Sequence, residues 1–202
     1  MKKLSGFLIV VLFAMLTVAA WGYANRPTSE PALPRVIHGF AFQPYQKDQD
    51  AIAGEDPTSA QIDADLKLLA GTTRAVRTYS SIGTLGEIPA LARKHGLKVM
   101  LGSWIDSDRE RNDREVEAAI RLANTNRNVT RILIGNEVVL RGDLPVEDLI
   151  AHLDRVRAAT KQPVSTAEPW HVWIRHPELV AHVDFITVHM LPYWEGVEVE
   201  AA

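Results

Sequence analysis

The chain has 202 residues, a formal net charge of -3 and a pI near 6.2, enough length for one good core and no charge excess of the kind that attracts nucleic acid. It has no cysteine, which excludes disulfides and thiolate metal sites. Basic residues are scattered beside acids along the helical stretches, the pattern of solvated faces.

Met1-Lys2-Lys3 precedes an apolar stretch from Phe7 to Tyr23. A bilayer core takes about 20 apolar residues as a helix, so this stretch suits an export or anchoring element. The two lysines would stay cytoplasmic and everything after Tyr23 outside. That places the protein at the cell membrane with its larger domain on the extracytoplasmic side, or secreted if the segment is cleaved. Val18-Ala19-Ala20 and Gly22-Tyr23-Ala24 offer small residues to a signal peptidase, whereas Trp21 and Tyr23 suit the interfacial belt of an uncleaved anchor, the reading preferred here. Residues 1–24 thus read as a signal-anchor or signal peptide. Residues 25–34, with three prolines, read as a linker.

From Arg35 strand-like and helix-like segments alternate, the βαβα rhythm of a parallel sheet. Strands are predicted at Val36–Phe42, Ala75–Tyr79, Lys98–Trp104, Val129–Val138, Pro163–Ala167 and Asp184–His189. The first intervening helix starts at Pro57 and Ser59 and places Ile62, Leu66 and Leu69 on one face. The second runs from Thr84 to Gly96 with Pro89 in its first turns. The third, Asp106 to Asn126, carries Val116, Ile120 and Ala123 at helical spacing. The fourth, Glu147 to Thr160, does the same with Leu149, Leu153 and Val156.

A closed barrel of this kind has eight strands. An open doubly wound sheet usually shows a glycine-rich turn after its first strand, but here that turn is Phe42-Gln43-Pro44-Tyr45-Gln46. The expected fold is therefore α/β, a (β/α)8 TIM barrel with about six of its eight βα units present over residues 35–202.

Barrel chemistry sits where strands end. Arg77, Tyr79 and Ser80 close the second predicted strand, Trp104 and Asp106 the third, and Asn136 and Glu137 the fourth. Glu168, Trp170, His171 and Trp173 follow the fifth, and His189, Tyr193 and Trp194 the sixth. Four of the five tryptophans lie at these positions. Flat aromatic faces beside fixed hydrogen-bonding groups suit a sugar ring; core packing is the commoner role of any one Trp taken alone. His171, His176, His182 and His189 lack metal-ligand spacing, and no phosphate-binding loop, serine-nucleophile or dinucleotide motif occurs. Neither metal nor cofactor is expected.

Six segments follow one another in order: Gly39-Phe40-Ala41-Phe42-Gln43-Pro44-Tyr45, Val76-Arg77-Thr78-Tyr79-Ser80, Gly96-Leu97-Lys98-Val99-Met100-Leu101-Gly102, Ile134-Gly135-Asn136-Glu137-Val138, Val164-Ser165-Thr166-Ala167, and Val183 to His189 running into Pro192-Tyr193-Trp194. In this order and spacing they resemble glycoside hydrolase family 17, the β-1,3-glucanase family, and in particular its bacterial membrane-linked members. The resemblance implies a retaining enzyme acting on β-1,3-glucan by hydrolysis or transglycosylation. Glu137 would be its general acid/base and Asn136 would bind the sugar 2-hydroxyl. Arg77, Tyr79, Trp104, Trp170, Trp173, His189, Tyr193 and Trp194 would bind substrate. His189 stands where many members carry Asn. The family nucleophile is a second Glu after the seventh strand, in a Glu-x-Gly-Trp-Pro-like segment that these 202 residues do not contain. Retaining hydrolysis needs two carboxyl groups roughly 5 Å apart. The chain as given is accordingly expected to be inactive and marginally stable; the alternative is a non-catalytic glucan-binding or structural part of a larger membrane glucan-synthesis protein.

Overall fold

The N-terminal apolar run forms one long helix. In a computed structural model that describes residues 2–26, 32, 35–51 and 53–198, helix α1 spans Lys2–Ala24. Its segment Gly6–Ala24 has a mean hydropathy of 2.2 and is long and apolar enough to cross a membrane. It lies in a unit, Met1–Pro34, distinct from the unit Arg35–Ala202. Most of the expected 25–34 linker, and residues 199–202, lie outside the described residues.

The second unit alternates strand and helix. Its elements are β1 (Phe40–Ala41), α2 (Ser59–Leu69), β2 (Ala75–Arg77), α3 (Ile88–Lys94), β3 (Lys98–Ser103), α4 (Arg109–Thr125), β4 (Val129–Asn136), α5 (Val138–Arg141), α6 (Val146–Ala159), β5 (Val164–Pro169), α7 (Trp170–Arg175) and β6 (Thr187–His189). All six strands pair in parallel in the order β1-β2-β3-β4-β5-β6. This is the sequential order of a partial TIM barrel.

The helices form where local signals and apolar spacing agree. At the start of α2, Thr58 and Gln61 satisfy each other's backbone N–H groups in a capping box. Asp108 caps α4, accepting from Arg111 N at 3.0 Å, and Pro89 occupies the first turn of α3. Ile62 and Leu66 of α2, Val116 and Ala119 of α4, and Leu149, Leu153 and Val156 of α6 are fully buried against Leu101, Ile132 and Ile134 of the sheet. Burying a side chain of this size stabilises the fold by about 1.5–3 kcal/mol relative to leaving it exposed.

The sheet curls. Arg77 ends β2 and His189 ends β6, four strands away, which in a flat sheet is about 19 Å at ~4.8 Å per strand. Their side chains nevertheless meet at 3.2 Å. Strong twist and curvature therefore bring the C-terminal ends of β2, β4 and β6 around a common point.

A buried carboxyl lies beneath one of these ends. Glu115 of α4 has no exposed surface; the Ser80 hydroxyl donates to its Oε1 and the Ser81 N–H to its Oε2 at 2.7 Å. Burial raises its pKa from 4.5 to about 7, against the pull of those hydrogen bonds and of Arg111. Because the folded value is the higher one, the stability it contributes is complete below about pH 4.5 and is lost as pH rises toward 7. The loss amounts to about 3 kcal/mol at ~1.36 kcal/mol per pH unit. Urea midpoints followed from pH 4 to 8 should therefore fall with pH more steeply in the unaltered chain than in Glu115→Gln. Parallel pH profiles would contradict the assignment.

Candidate active site

Glu137 owes its position to an irregularity in the backbone. β4 and β5 lose regular register between Leu133 and Asn136, and Gly135 within that break has φ 85°. A Cβ at Gly135 would stand 2.4 Å from Val138 Cγ2, so the tight turn needs glycine both for its angle and for its space. Two residues later Glu137 has φ 58° and ψ 30°, the only non-glycine residue with positive φ among those described. An L-residue adopts that conformation at a cost and needs its surroundings to hold it. The Glu137 N–H donates to Ala167 O of β5 at 2.7 Å, and Glu137 O accepts from Arg141 N at 2.8 Å.

Around Glu137 the curled sheet assembles a continuous polar network. Arg77 Nη2 donates to Asn136 Oδ1 at 2.7 Å, and Arg77 Nη1 lies 3.2 Å from His189 Nε2. His189 Nδ1 stands 2.6 Å from Glu137 Oε1. A guanidinium can only donate, so Nε2 must accept and Nδ1 carries the proton that faces the Glu137 carboxylate. Arg77 also stacks over the Tyr79 ring, 4.7 Å from its centroid. Burial pushes the guanidinium below its ordinary pKa, with the charges of Tyr79 and Glu137 opposing. Five of the expected site residues, Arg77, Tyr79, Asn136, Glu137 and His189, thus form one cluster.

The aromatic residues divide. Trp104 borders the cluster: its indole N–H donates to Asp106 Oδ2 at 3.0 Å, and Arg141 lies over its ring at 4.5 Å. It also lines a cleft of about 750 Å³ with Tyr79, Phe42, Gln43 and Tyr45, beside the ends of β1 to β3. Tyr45 donates to Asp56 at 3.1 Å, and burial with that bond raises its pKa to about 12. Tyr193 and Trp194, edge to face at 5.2 Å, are 81% and 78% exposed beyond β6. Trp170 is partly exposed and donates to Glu195 Oε1 at 2.7 Å. Trp173 departs from the expected substrate-binding set. It is buried in the core, and its N–H is used by Thr187 O at 3.1 Å, so core packing is its role.

Two further residues shape the site, Arg141, which the sequence did not single out, and Glu168, which it placed at a strand end without a role. Arg141 fastens the turn by donating to Asn136 O and, at 2.8 Å, to Ile105 O, with Asp143 as its ion-pair partner at 2.6 Å. Glu168 is the second. It is fully buried within β5, and its two oxygens accept from Val139 N at 3.0 Å and Leu140 N at 3.3 Å. Burial pushes its carboxyl above the ordinary range; the two N–H bonds pull the other way and the nearby Glu137 charge adds to the rise. With both oxygens engaged inside the protein, Glu168 is not presented to a substrate. Among the described residues no group of three or more metal-ligating side chains is gathered.

The chain is similar in sequence and in fold to known proteins. A glucan 1,3-beta-glucosidase of Schizosaccharomyces pombe is 33% identical over 66% of the chain and 46% of its own length. A probable glucan endo-1,3-beta-glucosidase of Aspergillus flavus is 24% identical over 90% of the chain and 30% of its own. The family 17 beta-1,3-glucanosyltransferase of Rhizomucor miehei superposes with a TM-score of 0.67 at 26% identity, covering 82% of this chain and 61% of that one. An active-site mutant of the same enzyme, solved in complex with laminaritriose, superposes with a TM-score of 0.68. The chain therefore spans less than half the length of these curated relatives and about three-fifths of the solved enzyme. The BtgE/BtgC glycoside hydrolase domain matches residues 39–202, nearly the whole of the second unit, and to that family the chain belongs.

Proposed function

We propose that the domain acts on β-1,3-glucan as part of a retaining glycoside hydrolase or transglycosylase, with Glu137 as general acid/base. The observation that carries this reading is the Arg77–Asn136–His189–Glu137 network, whose single carboxyl points into the mouth of the half-barrel. His189 Nδ1–H engages Oε1, so the proton given to the glycosidic oxygen would ride on Oε2. Asn136, oriented by Arg77 through its Oδ1, keeps its amide N–H groups for a sugar hydroxyl, the 2-hydroxyl by resemblance. Tyr79 and Trp104 supply flat walls on one side of Glu137 and Trp170, Tyr193 and Trp194 on the other, which suits a chain of glucose units crossing the network.

The displacement itself requires a second carboxyl roughly 5 Å from the first. Glu168 is committed to backbone N–H groups, and we assign the nucleophile to none of the described residues. It belongs by resemblance to a seventh strand. A binding role without turnover is the second reading for these 202 residues, favoured by that one open carboxyl. The anchor reading of α1 is part of the proposal: its apolar Gly6–Ala24 segment behind Lys2 and Lys3 would hold a membrane-linked enzyme with its barrel outside the cytoplasm, or direct its secretion.

Two measurements follow. In a form of the protein that hydrolyses laminarin, Glu137→Gln should reduce that hydrolysis by at least about 100-fold, the lower range of general acid catalysis. Aryl glycosides with good leaving groups should lose far less in the first step. Unchanged laminarin hydrolysis would remove Glu137 from the role. On the binding side, Trp194→Ala should weaken laminaritriose affinity by about 1 kcal/mol, roughly fivefold, if the exposed ring stacks on sugar. Unaltered affinity in the folded variant would exclude it as a subsite.

A further inference from the structure

A helix start leaves backbone N–H groups without intrahelical partners, and the residue at the N-cap ordinarily satisfies the second or third of them with its own side chain. The N-cap of α5 is Glu137, which makes no such bond because its carboxyl is turned toward His189. The orphaned donors at the second and third positions are Val139 N and Leu140 N. Both are taken by Glu168, at 3.0 and 3.3 Å, from the neighbouring strand. The residue before it, Ala167, accepts the Glu137 N–H at 2.7 Å. Two consecutive residues of β5 therefore clamp the backbone on both sides of the one left-handed non-glycine residue among those described.

We infer that Glu168 is a positioning residue for Glu137, capping from β5 the short helix that Glu137 cannot cap while its side chain serves the site. A buried carboxylate is expensive to place in a strand and is retained here against two N–H donors, which would otherwise be buried and unpaired. Asparagine or serine at position 137 could cap α5 locally, but neither could donate a proton to a leaving group. Moving the cap to another strand separates the two tasks. The inference rests on the acid/base reading of Glu137 for its catalytic consequence but not for its geometry.

The test has a structural and a kinetic arm. In the unaltered chain, amide hydrogen exchange at Val139 and Leu140 should be slowed as in a strand, although these amides stand in the first turn of a four-residue helix. In Glu168→Gln, whose amide group must face one donor with another, and in Glu168→Asp, which withdraws the carboxylate, exchange there should accelerate at least tenfold while that of Ile132–Ile134 is retained. In a form that hydrolyses laminarin, both variants should lower kcat at least tenfold with KM within twofold. For an aryl glycoside with a good leaving group the loss in kcat/KM, which reads the first step alone, should be under threefold, and the Glu137→Gln, Glu168→Gln double variant should be no slower than Glu137→Gln alone. Unprotected amides at Val139 and Leu140 in the unaltered chain, or equal losses on both substrates that multiply in the double variant, would overturn the inference. If no form of the protein turns over glucan, the acid/base reading falls and the exchange measurement alone decides this one.

Discussion

The arrangement depends on holding one residue, Glu137, in a left-handed backbone conformation at the end of β4. Unsupported, that conformation is strained for any residue with a side chain. Here Gly135 makes the approach, Ala167 and Glu168 grip the backbone from β5, and Arg141 ties Asn136 O to the β3 end at Ile105 O. The consequence is directional. A strand continuing regularly past Asn136 would alternate its side chains to the two faces of the sheet, whereas the turn brings the Glu137 carboxyl against His189 at the end of β6.

Curvature provides the rest. Parallel strands wound in sequence bring residues distant in the chain to one rim, and the close approach of Arg77 to His189 spans 112 positions. Each member of the network satisfies another: Arg77 orients Asn136 and fixes the tautomer of His189, and His189 in turn steadies one oxygen of Glu137. Polar groups paired in this way in a partly desolvated site are held in place, because any one that moves leaves its neighbour unpaired at a cost of about 1–3 kcal/mol. Preorganisation of this kind is what a glycosidase needs, since the acid must meet the leaving oxygen in a fixed geometry.

Much of this was legible in the sequence, for reasons that differ by element. The helix faces of Ile62 and Leu66 and of Leu149, Leu153 and Val156 follow from their 3.6-residue spacing, because those helices bury one side only. The strands were legible as apolar runs. The first and last described strands proved shorter, Phe40–Ala41 and Thr187–His189 against Val36–Phe42 and Asp184–His189, as did β2, Ala75–Arg77 against Ala75–Tyr79. Helix α5 was not legible: the predicted strand Val129–Val138 runs past the observed end of β4 at Asn136 into the first residue of α5, whose N–H groups at Val139 and Leu140 are bonded from β5. Trp170 and Trp173 are three residues apart and alike in sequence, yet one reaches Glu195 at the surface and the other Thr187 in the core. Arg141, through Ile105 O, and Glu168, through Val139 N and Leu140 N, act on backbone atoms of segments distant in the chain, for which no motif exists.

The most direct test of the central claim is chemical rescue at Glu137. In a form of the protein that hydrolyses β-1,3-glucan, Glu137→Ala acting on an aryl β-glucoside oligosaccharide with a good leaving group should be accelerated by azide. The product should be the β-glycosyl azide, because azide attacks a covalent intermediate without needing a base. An α-glycosyl azide would make Glu137 the nucleophile, and no acceleration would remove it from the chemistry; either result contradicts the account.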